Sequence, residues 1–234
     1  MTVCVAALAE NGKKAVLVAD KLVTNKGLLP YQMDMAADKI IKINNDVMVM
    51  YCGGITDTSI IIENSIKNIG KNKWVSDVAK LINEKHLEYL LEVLSQAQLK
   101  TRGIKDVNEF YKEYILKLDK DTRKSIDEVL TTHTLNSAPQ FIVCGKEGDG
   151  IYRIYWLGNN PRVIPTLMTI NYSTIGSGSG YANFSIIQSK YNKSLTVTQV
   201  KELLMRAKKE AENDRDVEDK EDVVILGEDT TSLS

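Results

Sequence analysis

Short apolar runs separated by polar turns dominate the first fifty residues. The runs TVCVAALA (residues 2–9) and AVLVAD (residues 15–20) flank ENGKK, which contains an Asn-Gly turn signal. Two β-branched runs around such a turn predict a β-hairpin. DKIIKI and DVMVMYCGG, with an Asn-Asn-Asp turn between them, predict a second hairpin whose first arm alternates apolar and polar residues.

A helical pattern replaces the strands after the Gly-Gly pair. Thr56 or Asp57 is predicted to cap a helix through SIIIENSIKNI, and Ser76 to cap a longer helix through DVAKLINEKHLEYLLEVLSQAQLK. Leucines keep much of one side of the longer helix apolar. The stretch IKDVNEFYKEYILKLDKDTRKSIDEVLTTH continues as a highly charged helical region.

Strand character returns in the last hundred residues. PQFIVCGKEGDGIYRIYWLG predicts a hairpin around Gly-Asp-Gly, and TLMTINYSTIGSGSGYANFSII follows with a Gly/Ser turn in its middle. A last helix, TVTQVKELLMRAKKEAEND, leads to a terminal strand, DVVILGE. Strands, helices, strands, helix and strand in this order predict an α+β layered fold rather than a βαβ alternation. We expect one domain, because no internal repeat or low-complexity linker interrupts the chain.

The composition indicates a globular protein with almost no net charge. Hydrophobic residues make up 43% and charged residues 26% of the chain, and the formal net charge is -1. This charge gives no general attraction to nucleic acid or to an anionic membrane. No stretch approaches the ~20 apolar residues of a membrane span, and the start of the chain lacks the pattern of a signal peptide. We therefore expect a soluble cytoplasmic protein that binds neither nucleic acid nor membrane.

Cysteine and histidine give no sign of a metal site. Cys4, Cys52 and Cys144 each lie in an apolar run, outside any CxxC or His-spaced cluster. This pattern predicts buried thiols in a reducing compartment. His86 lies in the predicted amphipathic helix and His133 in a polar segment, and neither has a partner pattern. We assign both a structural or surface role, and we expect Cys4 to be a buried strand residue rather than a second nucleophile.

Four segments in this order resemble the β-type subunits of the proteasome: TVCVAALAENGKKAVLVADKLVT, DKIIKI, YCGGITD and TIGSGSGYA. More broadly, the chain is similar to N-terminal-nucleophile hydrolases of proteasome type. The resemblance covers nearly the whole chain except the charged helical stretch near residues 100–138, which looks like an insertion. It implies a four-layer αββα sandwich, in which two antiparallel sheets lie between helical layers, as a single domain over residues 1–234.

The resemblance implies six catalytic and two substrate-binding positions. The catalytic positions are the nucleophile Thr2, the acidic Asp20, the lysine Lys39, the oxyanion-binding glycine Gly53, the serine Ser177 near the free amine, and the second aspartate Asp216. The substrate-binding positions are Thr24 and Tyr51. Asp219 stands where the family normally has a serine a few residues beyond the second aspartate, which weakens the match on that side.

These residue types suit nucleophilic catalysis by a terminal threonine. A threonine hydroxyl is a poor nucleophile and needs an adjacent base. Removal of Met1 would place a free amine, with a pKa near ~7.7–8.0, on the nucleophile's own residue. The Lys39 ammonium would favour the neutral amine, and Asp20 would hold Lys39 in place. The backbone N–H of Gly53 would bind the oxyanion of a tetrahedral intermediate.

Several of these positions also have a simpler interpretation from the residues alone. Lys39 fits the solvent-facing side of an alternating strand, and Asp20 and Gly53 fit turns that end strands. GSGSG fits a flexible turn, or an anion-binding loop, although no Walker-type Lys-Ser/Thr pair follows it.

The function implied by the resemblance is that of a threonine-type hydrolase that cleaves peptide or amide bonds after removal of Met1. Transfer of the acyl group to an amine would use the same residues, and Tyr51 would narrow the specificity pocket. We expect no cofactor, a peptide or protein substrate, a homo-oligomer, and a separate ATPase wherever substrates must be unfolded. The charged insertion would cap a pocket or build an oligomer contact. Two alternatives stay open: an inactive scaffold or interaction subunit of the same fold, and a small-molecule amidase.

Overall fold

Two antiparallel β-sheets form the centre of the structure. A computed structural model describes residues 2–21, 23–25, 31–33, 38–69, 74–132, 139–212 and 220–227, with the backbone alone at 23–25 and 31–33. The strands are β1 (Cys4–Ala9), β2 (Lys14–Asp20), β3 (Val23–Asn25), β4 (Tyr31–Met33), β5 (Ile40–Lys42), β6 (Val47–Cys52), β7 (Gln140–Lys146), β8 (Tyr152–Leu157), β9 (Thr166–Leu167), β10 (Tyr172–Ile175) and β11 (Glu221–Leu226).

Helices connect and cover the sheets. The α-helices in the described residues are α1 (Ile55–Asn68), α2 (Val75–Leu94), α3 (Val107–Glu109), α4 (Lys120–Thr132), α5 (Ser179–Gln188) and α6 (Val197–Ala211). Two π-helical segments occupy Ser95–Leu99 and Phe110–Tyr114. Across the described residues, every helix is too short or too polar to cross a bilayer.

The first sheet has the strand order β10-β1-β2-β11 and is antiparallel throughout. Strands β1 and β2 pair from Cys4 opposite Ala19 to Ala9 opposite Lys14, which confirms the first predicted hairpin. Its turn contains Asn11 and Gly12 at φ 59° and 85°, a left-handed conformation that these two residue types adopt more readily than others. The apolar run of β1 is buried on both faces, which explains why it does not alternate with polar residues.

The second sheet has the order β5-β6-β7-β8-β9. Its first two strands pair with Ile40 opposite Met50, and β7 pairs with β8 around the Gly-Asp-Gly turn. Both hairpins were predicted from the sequence and are confirmed. Strands β3 and β4 form a separate two-stranded ribbon.

Three apolar clusters hold the sheets and helices together. Alternate residues of β1, such as Val5 and Ala7, pack with α5 and α6 on one face of the first sheet. The intervening residues, such as Ala6 and Leu8, pack against the second sheet. The other face of the second sheet, including Val49, packs against α1 and α2. The molecule is therefore a mixed α/β structure in which two antiparallel sheets face each other.

The charged stretch has a small apolar core of its own. Leu90 and Leu94 of α2 pack with Phe110 and with Ile126 and Leu130 of α4. The predicted helical character is confirmed, although part of it is π-helix rather than α-helix.

Two predicted helix starts are wrong, and one helix was not predicted. Helix α1 follows Gly54 without a side-chain cap, and the Asp57 carboxylate instead accepts a hydrogen bond from the Tyr89 hydroxyl at 2.7 Å. Ser76 lies inside α2, where its hydroxyl donates to Glu147 at 2.9 Å, so it does not cap that helix. Helix α5 gives a weak pattern, because Gly180 stands in its first turn and apolar residues lie on its exposed as well as its buried side.

Candidate functional site

A buried carboxylate at the end of β2 joins the start of the chain to Lys39. Asp20 is fully buried, and its Oδ1 accepts a hydrogen bond from the Val3 N–H at 2.8 Å. Its Oδ2 lies 2.9 Å from the Nζ of Lys39. The Asp20 N–H in turn donates to the Val3 carbonyl at 3.1 Å. The residue that follows Thr2 and the lysine therefore share one carboxylate.

Lys39 is buried, with 4% of its surface exposed, so its interpretation as a solvent-facing strand residue is wrong. It lies just before β5, and the cost of burying its charge is offset by the pairing with Asp20. Apart from their contact with each other, the Lys39 Nζ and the Asp20 Oδ2 have no polar partner within the described part of the chain. An ammonium group has three donors, so Lys39 keeps donor capacity for another group in the site.

A glycine-rich turn contacts Thr2 from the other side. The Gly178 N–H donates to the Thr2 carbonyl at 3.4 Å, a long hydrogen bond. Gly176 has φ +96°, and a Cβ atom at this position would overlap the Thr2 carbonyl oxygen and lie 2.7 Å from the carbonyl carbon. Only glycine fits this close approach of two backbone segments.

Sequence reasoning selected Ser177 from this turn and missed its two neighbours. Ser177 itself is exposed, whereas Gly176 and Gly178 make the contacts with half-buried Thr2. The signal was present in GSGSG, because repeated glycines mark places where backbones approach closely.

Gly53 lies at the boundary between β6 and α1. Its φ of 118° is a conformation that residues with a side chain rarely adopt. Gly54 follows it in an extended conformation, and α1 begins at the next residue. The glycine required by the resemblance is therefore also required by the local backbone.

Two thiols lie beside the ion pair. The Cys4 Sγ donates to the Tyr51 carbonyl at 3.4 Å. Burial is the main cause that raises the pKa of Cys4 well above its ordinary value; the Cys52 thiol and the Asp20 carboxylate raise it further, against the opposing effect of Lys39. Burial also raises the pKa of Cys52 to about 11. Both thiols are protonated at neutral pH and are therefore weak nucleophiles. The predicted burial of all three cysteines is confirmed.

The remaining predicted site residues are only partly described. Tyr51 is 8% exposed and packs in the apolar cluster between the second sheet and helices α1 and α2, where burial raises its pKa. Thr24 pairs with Gln32 in the β3–β4 ribbon, and its side chain is not described. Asp216, Asp219 and His133 lie outside the described residues.

His86 is buried away from these residues. Its ring packs edge-on against Phe141 with centroids 5.8 Å apart, and neither ring nitrogen has a hydrogen-bond partner among the described residues. Burial lowers the pKa of His86 to about 4, although the Asp57 carboxylate opposes the shift. No group of three or more His, Cys, Asp or Glu side chains that could hold a metal ion comes together in the described parts of the chain.

Comparison with known proteins identifies no family for this chain. No family model matches the chain, and no curated protein is significantly similar to it. The residues of the site are therefore the basis for assigning a function.

Proposed function

We propose that the chain is a threonine-type N-terminal-nucleophile hydrolase of proteasome type that cleaves peptide or amide bonds once Met1 is removed. The observation that carries the proposal is the Asp20 carboxylate, which binds the Val3 amide through one oxygen and Lys39 through the other. A single carboxylate thereby ties an ammonium group to the backbone next to Thr2. Such a charge is what a terminal threonine needs to ionise its hydroxyl.

The proposal includes a four-layer αββα sandwich as the fold. The order of the apolar clusters supports it: α5 and α6 on the first sheet, the first sheet on the second, and the second on α1 and α2. Proteins of this layered type bury both faces of each sheet, which suits the non-alternating run in β1.

The proposed reaction begins at the Thr2 hydroxyl. Its oxygen attacks the carbonyl carbon of the substrate while the hydroxyl proton passes to the free α-amine. Lys39, with donors left over from its pairing with Asp20, stabilises negative charge on the attacking oxygen. The N–H of Gly53 donates to the oxygen that becomes negative in the tetrahedral intermediate.

The second half of the reaction restores the enzyme. The protonated α-amine gives its proton to the leaving nitrogen as the C–N bond breaks, which leaves an ester on Thr2. Water then attacks the ester, its proton returns through the amine to the threonine oxygen, and the acid product leaves. An amine in place of water would give a new amide bond, so ligation needs no additional residue.

Two measurements test the proposal. Intact mass spectrometry of the purified chain is expected to show loss of Met1, and incubation with a β-lactone is expected to give one adduct that peptide mapping places on Thr2. Thr2→Ala is expected to give no adduct. Lys39→Ala is expected to lose adduct formation almost completely, whereas Lys42→Ala, an exposed lysine three residues further on, is expected to react like the wild type.

Other outcomes would contradict the proposal. Complete retention of Met1 would leave no free amine on Thr2 and would favour the inactive scaffold. An unchanged adduct rate in a folded Lys39→Ala variant would refute the role of the lysine. If adducts form but no peptide library is cleaved or ligated while small amides are, the small-molecule amidase is the better description.

A further inference from the structure

A cavity of about 220 Å³ lies at the end of the sheets opposite Thr2. Leu8, near the far end of β1, lines it, and Leu8 stands six positions after Thr2 in an extended segment, which corresponds to roughly 20 Å. The most buried lining side chains are those of Leu8, Tyr152 and Ile154, while the half-exposed Ile151 and Leu167 lie nearer the mouth.

Two basic residues, Arg153 and Lys193, line the cavity. Lys193 lines the opening and, among the described residues, makes no ion pair or side-chain hydrogen bond. Arg153 also lines it, but its guanidinium already pairs with Asp149 at 2.5 Å and lies 3.9 Å from Glu147. Lys193, rather than Arg153, is therefore the residue available to pair with an anionic group at the mouth.

Turns with left-handed backbone border the cavity. The described chain has four non-glycine residues with positive φ, and two of these, Asn11 and Asn171, line the cavity, while a third, Glu10, adjoins it. The Asn11 N–H donates to the Lys193 carbonyl at 2.8 Å, which ties the lysine segment to the turn. These turns hold in place the backbone that borders the cavity.

The volume limits the size of a ligand. One water molecule occupies about 30 Å³ in the liquid, so a cavity of about 220 Å³ holds about seven non-hydrogen atoms. We propose that this cavity binds a short aliphatic monocarboxylate, with its alkyl chain against Leu8 and Ile154 and its carboxylate at Lys193. A pocket with an apolar wall and a few polar groups at the mouth has the general form of a small-molecule site. The proposal does not depend on the hydrolase activity.

Hexanoate, with about eight non-hydrogen atoms, fills the cavity with its alkyl chain and leaves its carboxylate at the mouth, and it is the probe that tests the proposal. In methyl NMR titrations of the whole chain, hexanoate is expected to give saturable shifts of the methyl groups of Leu8, Ile151 and Ile154. Hexylammonium, with the same chain length and the opposite charge, is expected to bind at least about fivefold more weakly. Lys193→Gln is expected to weaken hexanoate binding about fivefold, the upper range for an exposed ion pair, while Lys201→Gln on α6 leaves it unchanged.

A second pair of variants tests the location without a change of charge. Leu167→Trp is expected to fill the cavity and abolish the shifts, whereas Thr166→Trp, at the neighbouring exposed position of β9 outside the lining, is expected to bind normally. The proposal is overturned if cavity methyl groups do not shift saturably in the wild type. It is also overturned if hexanoate and hexylammonium bind equally, or if both members of either variant pair bind alike.

Discussion

A charged pair that is almost completely buried, such as Asp20 and Lys39, stabilises the fold only while both partners are present. Asp20→Asn leaves the ammonium buried without a counter-charge, and we expect the free energy of unfolding to fall by about 3–5 kcal/mol. Asp222→Asn is the matched control, because Asp222 pairs with Lys21 at 2.6 Å with both side chains partly exposed. Its expected loss is below about 1 kcal/mol. Urea unfolding at pH 7 measures both, and equal losses would contradict the argument.

Gly176 and Gly180 belong to the same GSGSG segment but differ in what surrounds them. Gly176→Ala forces a Cβ into the Thr2 carbonyl at a positive φ, and we expect a loss of about 1–3 kcal/mol of stability together with loss of Thr2 reactivity. Gly180→Ala meets no atom within 4 Å and lies in α5, where alanine is the better helix former. We expect that control to gain about 0.5–1 kcal/mol. Thermal unfolding and β-lactone labelling compare the two variants.

His86 makes stability depend on pH. Its pKa of about 4 in the folded chain is below the ~6.5 of an unfolded histidine, so between these pH values the unfolded chain binds more protons. Stability from this residue is therefore complete above about pH 6.5 and declines as the pH falls toward 4. We expect a loss of about 2 kcal/mol between pH 7 and pH 5.

His86→Leu removes the titrating ring and is the variant that isolates this effect. Urea unfolding at pH 7, 6 and 5 is expected to show a pH dependence in the wild type that is about 2 kcal/mol larger than in the variant. Parallel curves for the two proteins would mean that other groups cause the loss.

At the scale of elements, the charged stretch packs around Phe110 in an apolar cluster of its own. This side chain is fully buried among Leu90, Leu94 and α4, so Phe110→Ala is expected to cost about 3–5 kcal/mol. Tyr111 is the matched neighbour, 38% exposed and bonded through its hydroxyl to Asp127. Tyr111→Ala is expected to cost less than about 1.5 kcal/mol.

Hydrogen exchange locates the effect of the Phe110 substitution. We expect faster exchange in α4 and in the C-terminal half of α2, with β1 and β2 unchanged. Faster exchange throughout both sheets would show that the stretch and the sheets unfold as one unit.

A helix or strand could be predicted from the sequence where a short stretch of residues contains its turn or cap. The β1–β2 hairpin follows from two apolar runs and one Asn-Gly turn, and α6 from Thr196, whose hydroxyl accepts from the Gln199 N–H at 3.3 Å. The start of α2 could not be predicted, because Ser76 is bonded to Glu147 in a distant turn. Helix α5 gives no clear periodic signal, because apolar residues lie on its exposed as well as its buried side; its packing on the first sheet can be seen only in the folded structure.

At the scale of the molecule, segments that are far apart in the sequence form the candidate site. The Asp20 carboxylate at the end of β2 joins Val3 to Lys39, and the turn before α5 contacts Thr2, although these segments span most of the chain. Residue types and spacing selected Asp20 and Lys39 through a family resemblance. Their shared carboxylate and the close approach of Gly176 depend on how the strands pair, which no local pattern contains.

The burial of Cys4 and Cys144 between the two sheets has a practical use. Both thiols are fully covered, so an alkylating reagent can reach them only when one sheet separates from the other. The rate at which these thiols are modified in native buffer then depends on how readily the two sheets separate. Cys4 and Cys144 therefore report the separation of the two sheets, without any added label.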